Sequence, residues 1–387
     1  QQDLLVKAME AASTKKIADA GNVTGKLVYV GDATSDLTEE QLAAIKGNIA
    51  LIDRGGVTFN EKLKRAAKGS PIGVVVANNS AGAPIAMGTT DDFDFPAIMI
   101  GQAEGKKIKE ALKNADPAQA VATFEFQSTE KIEKPELIDT LTDFTSKGPR
   151  SIDGWLKPEI AAPGNNVISA KMGGGAKPVQ MSGTSMAAPH MAGIVALVKQ
   201  AHPELSAEEL KSVLMGTAKT IGEKGERYSV SLQGSGRVQA DKAAHSTLVV
   251  SEPSIALGEM AVESRKTVRR SLTVKNLSAE DVTLNVAFDG NGYITMKADS
   301  TLTIKAKSSA TLPMSLTLDS TKMKDASILE MDGWVKFTKG SDAKTAEEVY
   351  RVPVLAIAHK LSAIQADSLT VQSSSARDAD GAAAELT

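Results

Sequence analysis

Apolar and polar positions follow a different pattern in each of three parts of the chain. From Gly25 to Phe126, short runs rich in Val and Ile alternate with runs in which apolar residues recur every three or four positions. This order predicts an α/β module. Its expected strands are KLVYV, NIALIDRG, IGVVVANN and PAIMIG, and its expected helices are TEEQLAAIK, TFNEKLKRAA and EGKKIKEALKN.

Three helix starts carry the pattern of a capping box, in which a Ser or Thr is followed three residues later by Glu or Gln. Each partner can satisfy a backbone N–H that has no acceptor in the first helical turn. The pattern therefore predicts well-defined helix starts at these three pairs: Thr38 with Gln41, Thr58 with Glu61, and Ser206 with Glu209.

The middle of the chain predicts two core helices. The run that follows Ser185 is apolar almost all around a helix, so we expect it to lie inside a core with its N-terminus at a surface cleft. The next helix, SAEELKSVLMGTA, places Leu210, Val213 and Leu214 on one face. From about Thr247 the pattern changes to alternating strands, which predicts an all-β sandwich.

Composition narrows the class of protein. The 387 residues include 42% hydrophobic and 24% charged residues, which suits two or three domains. A net charge of -3 gives no reason to expect nucleic acid as a partner. There is no cysteine, so disulfides and thiolate metal sites are excluded while the compartment stays open. No apolar run approaches the roughly 18 residues of a membrane-spanning helix.

Two further segments are expected to carry neither a metal site nor a packed core. Asp91, Asp92 and Asp94 lack the spacing of an EF-hand, so we expect a solvated turn there and assign no metal. The last stretch, SLTVQSSSARDADGAAAELT, is polar and lacks aromatic residues, which predicts a disordered tail or linker.

Ser185 is the candidate nucleophile, in the segment MSGTSMAAPHMAG. A serine hydroxyl needs a base to take its proton and donors to stabilise an oxyanion. If a helix starts near Thr184, the Ser185 N–H is one of the free donors of the first turn. The local pattern also fits a simple N-cap cluster ahead of a buried helix. The G-x-S-x-G elbow of α/β-hydrolases is not matched, because Ala187 replaces its second glycine.

The wider string GTSMAAPHMAG resembles the nucleophile motif of the subtilisin-like serine proteases, the subtilases. Three other segments resemble the same family in the same order: DFTSKGP (143–149), KPEIAAPGNNVISA (157–170) and GSGRVQADKAA (234–244). In addition, residues 22–126 resemble the protease-associated (PA) domain inserted in some subtilases. The β-rich part resembles the fibronectin type III-like domain of large secreted subtilases.

The resemblance implies an α/β fold class: the C-terminal half of a subtilase parallel-sheet domain, an inserted α/β PA domain and a following all-β sandwich. The expected divisions are a linker or domain edge (1–21), the PA domain (22–126), the nucleophile half of the catalytic domain (127–246), the fibronectin type III-like sandwich (247–362) and the tail (363–387).

For function, the resemblance implies a secreted serine endopeptidase that cleaves protein or peptide substrates through an acyl-enzyme on Ser185. Gly183, Thr184 and Met186 are expected to support the oxyanion and substrate site. Calcium is common in the family, but no cofactor or metal ligand is assigned. The alternative is a noncatalytic binding or scaffold module, in which the PA and sandwich domains carry the recognition.

The family's base histidine and orienting aspartate precede the serine, whereas the four histidines here all follow it: His190, His202, His245 and His359. His190 is five residues beyond Ser185, about 500° around a helix, so its side chain leaves some 140° away. We therefore expect the base and the aspartate on a missing N-terminal catalytic segment, and this chain alone to be inactive. Any export signal is likewise expected outside this piece.

Overall fold

The computed structural model describes residues 4–11, 13–81, 84–114, 116, 120–125, 135–323, 328–340 and 347–360, and two short strands near the C-terminus. Regular structure falls into three parts: an N-terminal module (residues 4–125), a helical region (residues 135–246) and a two-sheet region (residues 248–360). Among the helices of these described ranges, none has the length and apolarity needed to cross a bilayer.

The N-terminal module is built around one six-stranded sheet in the order β1-β5-β4-β3-β2-β6. Strands β2 to β5 are parallel, while β1 and β6 pair antiparallel at the two edges. Its elements are β1 (Ala8–Glu10), α1 (Ile17–Ala20), β2 (Val23–Tyr29), α2 (Glu39–Ile45), β3 (Ile49–Asp53), α3 (Phe59–Ala67), β4 (Gly73–Ala77), β5 (Ala97–Ile100), α4 (Gln102–Asn114) and β6 (Val121–Phe124).

Local signals in this module are confirmed. All four predicted strands and all three predicted helices form, and β3 and β4 are buried on both faces, as expected where helices cover a parallel sheet. Thr38 and Gln41 make both bonds of the capping box. At Thr58 the structure shows one of the two: its side chain accepts from the Glu61 N–H, while the Glu61 carboxylate lies 4.0 Å from Lys64 Nζ.

The helical region consists mainly of helices and short antiparallel strand pairs. Its elements are a 3-10 turn (Pro135–Leu137), β7 (Val167–Ala170), β8 (Pro178–Met181), α5 (Thr184–Ala201), α6 (Ala207–Gly216), β9 (Gly222–Glu223), β10 (Glu226–Arg227), α7 (Val230–Gln233) and α8 (Ala240–Ala244). Ser206 and Glu209 complete their capping box at the start of α6. The parallel sheet expected here is represented, among the described residues, by the single parallel bridge between Ala161 and Arg237.

Helix α5 corrects one sequence expectation. Its apolar residues run almost all around, which predicted a buried helix, yet only Ile194 and Val198 are buried. They pack against α6 and α8 in one cluster, and the opposite side stays exposed, with Leu197 58% accessible. The apolar pattern therefore describes a helix whose second face is not covered by any described residue.

Within its described residues, the two-sheet region has nine strands in two sheets, ordered β11-β13-β17-β15 and β12-β19-β18-β14-β16. Buried side chains of both sheets form one cluster, consistent with sheets packed face to face. The strands are β11 (Leu248–Val250), β12 (Ile255–Val262), β13 (Arg265–Asn276), β14 (Val282–Gly290), β15 (Ile294–Ala298), β16 (Thr301–Ile304), β17 (Ser309–Asp319), β18 (Ile328–Lys339) and β19 (Glu347–Lys360).

The alternating strands predicted from about Thr247 form, and the division of the chain into domains remains a prediction. Much of the segment 363–387, predicted as a tail, lies outside the described residues. The structure gives only the antiparallel pair β20 (Ala376–Arg377) and β21 (Ala383–Ala384) within it.

A buried seam joins the helical region to the two-sheet region. Tyr350 of β19 is buried, and its hydroxyl lies 2.7 Å from Ser212 Oγ on α6. Ser212 also donates to the Val250 carbonyl oxygen at 2.6 Å. Further along, Leu156, Val230 and Trp334 share an apolar cluster. The helices thus take much of their core from the β-sheets.

Asp332 is a buried charged residue of this seam and is 1% exposed. Its carboxylate accepts from the Val230 N–H at 2.6 Å and lies 3.3 Å from an Arg227 guanidinium nitrogen. The Arg227 guanidinium stacks 4.5 Å from the Trp334 ring centroid. Burial nevertheless raises the pKa of the Asp332 carboxyl, because desolvation outweighs these two partners.

The raised pKa of Asp332 makes a prediction for stability. The folded protein binds the Asp332 proton more tightly than the unfolded chain does. The contribution of Asp332 to the free energy of unfolding is therefore greatest below about pH 3.9 and declines as pH rises through the folded-state pKa. Asp332→Asn cannot titrate. We expect the free energy of unfolding of the variant, relative to wild type, to increase with pH in urea titrations between about pH 4 and 7.

The matched control for this prediction is Glu347→Gln. Lys242 donates a hydrogen bond to the exposed Glu347 and lowers the pKa of its carboxyl. This pair therefore stabilises the fold at pH values above the ordinary pKa of a glutamate. The free energy of unfolding of Glu347→Gln, relative to wild type, is therefore expected to decrease as pH rises, which is the opposite slope to that of Asp332→Asn. A parallel slope in the two variants would refute the assignment for Asp332.

Candidate active site at the start of helix α5

The site is built on the N-terminus of α5. Gly183 is the N-cap residue, with φ 155° and ψ 163°, a conformation that a residue with a side chain rarely adopts. No side chain caps this end. The first bonds of the helix run from the Met186 and Ala187 N–H groups to the Gly183 carbonyl oxygen, at 3.0 and 3.3 Å. The N–H groups of Thr184 and Ser185 have no hydrogen-bond acceptor within the described residues.

Ser185 is exposed, one residue into the helix. Its hydroxyl makes no hydrogen bond to any part of the chain that the structure describes. A free hydroxyl beside two free backbone N–H groups, at the positive end of a helix dipole, suits a nucleophile with donors for a developing oxyanion. This is the arrangement that the sequence predicted for Ser185, and its catalytic role remains a prediction.

The predicted supporting residues lie around this point. Thr184 is exposed, while Gly183 and Met186 are half-buried. Thr184 and Ser185 thus open to solvent on the same helical turn. The structure brings all four predicted residues together, as their adjacency in sequence requires.

The segment 164–166, which the sequence did not predict as part of the site, contacts the N-cap of α5. The Gly183 N–H donates to the Gly164 carbonyl oxygen at 2.7 Å. A Cβ at Gly164 would lie 2.8 Å from the Gly183 carbonyl oxygen and 3.1 Å from Ala187 Cβ, so only glycine permits this approach. Ser182 Oγ accepts from the Asn166 N–H at 2.8 Å and donates to Asn165 Oδ1 at 2.9 Å.

The four histidines lie apart from the hydroxyl. His190 is exposed on α5, in a different direction from Ser185. The others have their own acidic neighbours: His202 Nδ1 is 3.6 Å from Glu204, His245 Nδ1 is 3.3 Å from Asp241, and His359 Nε2 is 3.4 Å from Glu259. All four are among the described residues, and none is hydrogen-bonded to Ser185. Among the described residues, no histidine is therefore in place to act as a general base for this serine.

The aspartate cluster 91–94, expected as a solvated turn, is in part ion-paired. Asp91 lies 2.9 Å from Lys64 Nζ and accepts from Asn60, and Asp92 lies 2.6 Å from Lys171 Nζ. The Lys64 and Lys171 hydrogen bonds hold the pKa of the Asp91 and Asp92 carboxyls below their usual range. Within the described ranges no group of three or more His, Cys, Asp or Glu side chains is arranged to hold a metal ion.

Comparison with known proteins gives a family match that includes the residues of this site. The family model described as Subtilase family matches residues 54–236, just under half of the chain. The match includes the α5 N-terminus with Ser185. It begins at Arg54, inside the predicted PA domain, and so does not separate an insert from the catalytic part. Together with the relatives below, it supports a subtilisin-like serine protease.

The relatives are themselves proteases by name. The minor extracellular protease Vpr of Bacillus subtilis (strain 168) is 33% identical over 264 residues, which is 65% of this chain and 31% of that protein. The C5a peptidase of Streptococcus pyogenes serotype M18 is 33% identical over 231 residues, 57% of this chain and 19% of that protein. The match thus spans less than a third of the length of either relative.

The similarity of this chain to solved structures is slight. A zinc aminopeptidase from Bacillus subtilis aligns with a TM-score of 0.24 and 23% identity, covering 27% of this chain and 25% of that chain.

Proposed function

We propose that Ser185 is the nucleophile of a secreted serine endopeptidase that hydrolyses protein or peptide substrates. The observation that carries the proposal is the exposed, unbonded Ser185 hydroxyl beside the free N–H groups of Thr184 and Ser185. The family match and the protease relatives support it.

The reaction we propose has two steps. Ser185 Oγ attacks the substrate carbonyl carbon as its proton passes to a base, and the helix N–H groups stabilise the oxyanion. The C–N bond then breaks and the amine leaves with that proton, so that an ester on Ser185 remains. Water attacks the ester, which releases the acid and returns the proton to Ser185 Oγ.

The base in this proposal comes from outside the chain. None of the four histidines reaches Ser185, and the exposed face of α5 provides the place for another segment to pack. That face carries Ala188, Ala192, Ala196 and Leu197, all exposed. Covering these side chains contributes roughly 25 cal/mol per Å² of apolar surface removed from water. We propose that the segment carrying the base histidine and orienting aspartate packs on this face.

The flanking regions complete the proposal. Residues 22–126 are assigned to a PA domain and residues 247–362 to a fibronectin type III-like sandwich, which fits the α/β sheet and the paired β-sheets of these ranges. We assign these two regions roles in substrate access and recognition. Extracellular location is proposed from the relative named as an extracellular protease.

The test is labelling of Ser185 by a fluorophosphonate probe, with this chain alone and with this chain co-expressed with whatever the gene encodes before Gln1. We expect labelling to be faster by at least about a hundredfold with that segment, the size of a general-base contribution. Equal labelling of the chain alone would contradict the missing base. An upstream sequence without D-[ST]-G and H-G-T strings would favour the noncatalytic scaffold.

The packing face is tested in the same experiment. Ala192 lies seven residues after Ser185, almost in line with it on α5. Ala192→Lys places a charge where the segment is proposed to pack, so we expect normal folding of this chain but loss of segment-dependent labelling. The control is Ala111→Lys, which places the same charge on an exposed alanine of α4, away from this face. Undiminished labelling of Ala192→Lys would place the segment elsewhere.

A further inference from the structure

The hairpin of β7 and β8 leads directly into the proposed nucleophile. Strand β8 ends at Met181, and Ser182 and Gly183 connect it to α5. At the same end, the Asn166 N–H just before β7 donates to Ser182 Oγ. Any movement of the hairpin base is thereby transmitted to the N-cap of the helix that carries Ser185.

The hairpin is poorly supported by its own contacts. Its tip carries Gly173 and Gly175, with φ values of 69° and 63°, and Met172 there is 90% exposed. The Lys171 N–H donates to the Lys177 carbonyl oxygen at 3.0 Å and closes the tip. An isolated two-stranded hairpin is at best marginally stable in water, so an external contact decides how well this one is ordered.

That contact comes from the loop between β4 and β5 of the N-terminal module. Gly88 packs so closely on the hairpin that a Cβ there would lie 2.6 Å from Met181 Cγ. Near the tip, Asp92 Oδ1 lies 2.6 Å from Lys171 Nζ and Asp92 Oδ2 lies 3.5 Å from Lys177 Nζ. The loop therefore touches the hairpin at both ends, next to the nucleophile and next to the tip.

Lys171 is unusual for a hairpin lysine because its side chain is only 9% exposed, although Asp92 is 63% exposed. Burying a lysine side chain is unfavourable unless its ammonium is paired. The neighbouring Asp91 is paired with Lys64 inside the module, whereas Asp92 makes its ion pairs with the two hairpin lysines.

We propose that Asp92 is a positioning residue for Ser185: by binding Lys171 and Lys177 it latches the β7–β8 hairpin to the N-terminal module and so fixes the N-cap of α5. The inference rests on the proposed function of Ser185. It gives the N-terminal module a mechanical role in the site, through the hairpin that leads into α5.

The experiment compares Asp92→Asn, Lys171→Gln and the double variant. Hydrogen–deuterium exchange of peptides covering residues 167–181 reports the latch in this chain alone. We expect exchange to be about two- to fivefold faster in Asp92→Asn, the size of one or two partly exposed ion pairs. The double variant is expected to match Asp92→Asn, since removing the Asp92 charge already removes its ion pairs with both Lys171 and Lys177. High salt is expected to narrow the difference.

The second readout is fluorophosphonate labelling of Ser185 with the upstream segment present, where Asp92→Asn is expected to slow labelling by a similar factor. The matched control is Asp94→Asn, an exposed neighbour with no ion pair within the described residues.

Two results would overturn the proposal: additive effects of the single changes on exchange, or faster exchange with unchanged labelling. Absence of labelling in wild type would count against the proposed function, and the exchange data would still decide whether the latch exists.

Discussion

Replacing Ser185 with alanine is expected to abolish peptide hydrolysis and fluorophosphonate labelling when the upstream segment is present. The loss should be at least about a thousandfold, the size known for serine-triad enzymes in general, because no covalent intermediate can form without the hydroxyl. Stability should change by less than about 0.5 kcal/mol, since Ser185 is exposed, its hydroxyl makes no hydrogen bond within the described residues, and it is not the N-cap.

The measurement is hydrolysis of a protein substrate, with the thermal unfolding of each variant followed in parallel. Ser309→Ala removes an exposed hydroxyl on β17 and is expected to leave activity unchanged. Probe attachment at another serine in Ser185→Ala, or substantial remaining hydrolysis, would show that the chemistry is carried elsewhere. Unfolding of Ser185→Ala would instead reveal a structural role for the hydroxyl.

The elements that were predicted correctly depend on neighbours in sequence. Thr38 and Gln41, or Ser206 and Glu209, are three residues apart, so the residues that define the helix start are read together. The same holds for the first turn of α5, where Gly183, Thr184 and Ser185 must lie together. Local patterns were therefore enough to place the candidate nucleophile on a helix N-terminus.

The environment of that helix was not predictable in the same way. Periodicity shows which side chains need an apolar partner, but it does not show whether the partner lies in the same chain. Ile194 and Val198 find one in α6 and α8, whereas Leu197 does not. The expectation that α5 lies inside a core holds only for the side that faces α6 and α8, because no described residue covers the side that carries Leu197.

Long-range charge pairs were also beyond the sequence. Asp92 and Lys171 are 79 residues apart, and Arg227 and Asp332 are 105 apart. Each segment by itself has the composition of a solvated turn or an ordinary strand. Only the fold brings these charges together, and they mark the two junctions where the flanking regions meet the helical region.

The junction between the helical region and the two-sheet region gives the largest expected effect on stability. Gly216, the last residue of α6, faces the Tyr350 ring, and a Cβ at this position would overlap it. Gly216→Ala is expected to lower the free energy of unfolding by about 3 kcal/mol, the upper part of the range for overpacked cores. The ring has no free direction, because Tyr350 is buried and its hydroxyl is held by Ser212.

Urea unfolding of two companion variants shows whether the Tyr350 ring is the cause. Gly193→Ala is the matched control, since Gly193 is also helical but has open space around it, and alanine there should stabilise the fold by about 0.5–1 kcal/mol. In a Tyr350→Leu background the obstacle is removed, so Gly216→Ala should add little further loss. If the full penalty persisted in that background, the strain would come from the α6 backbone, and the two-sheet region would not set the packing of this helix.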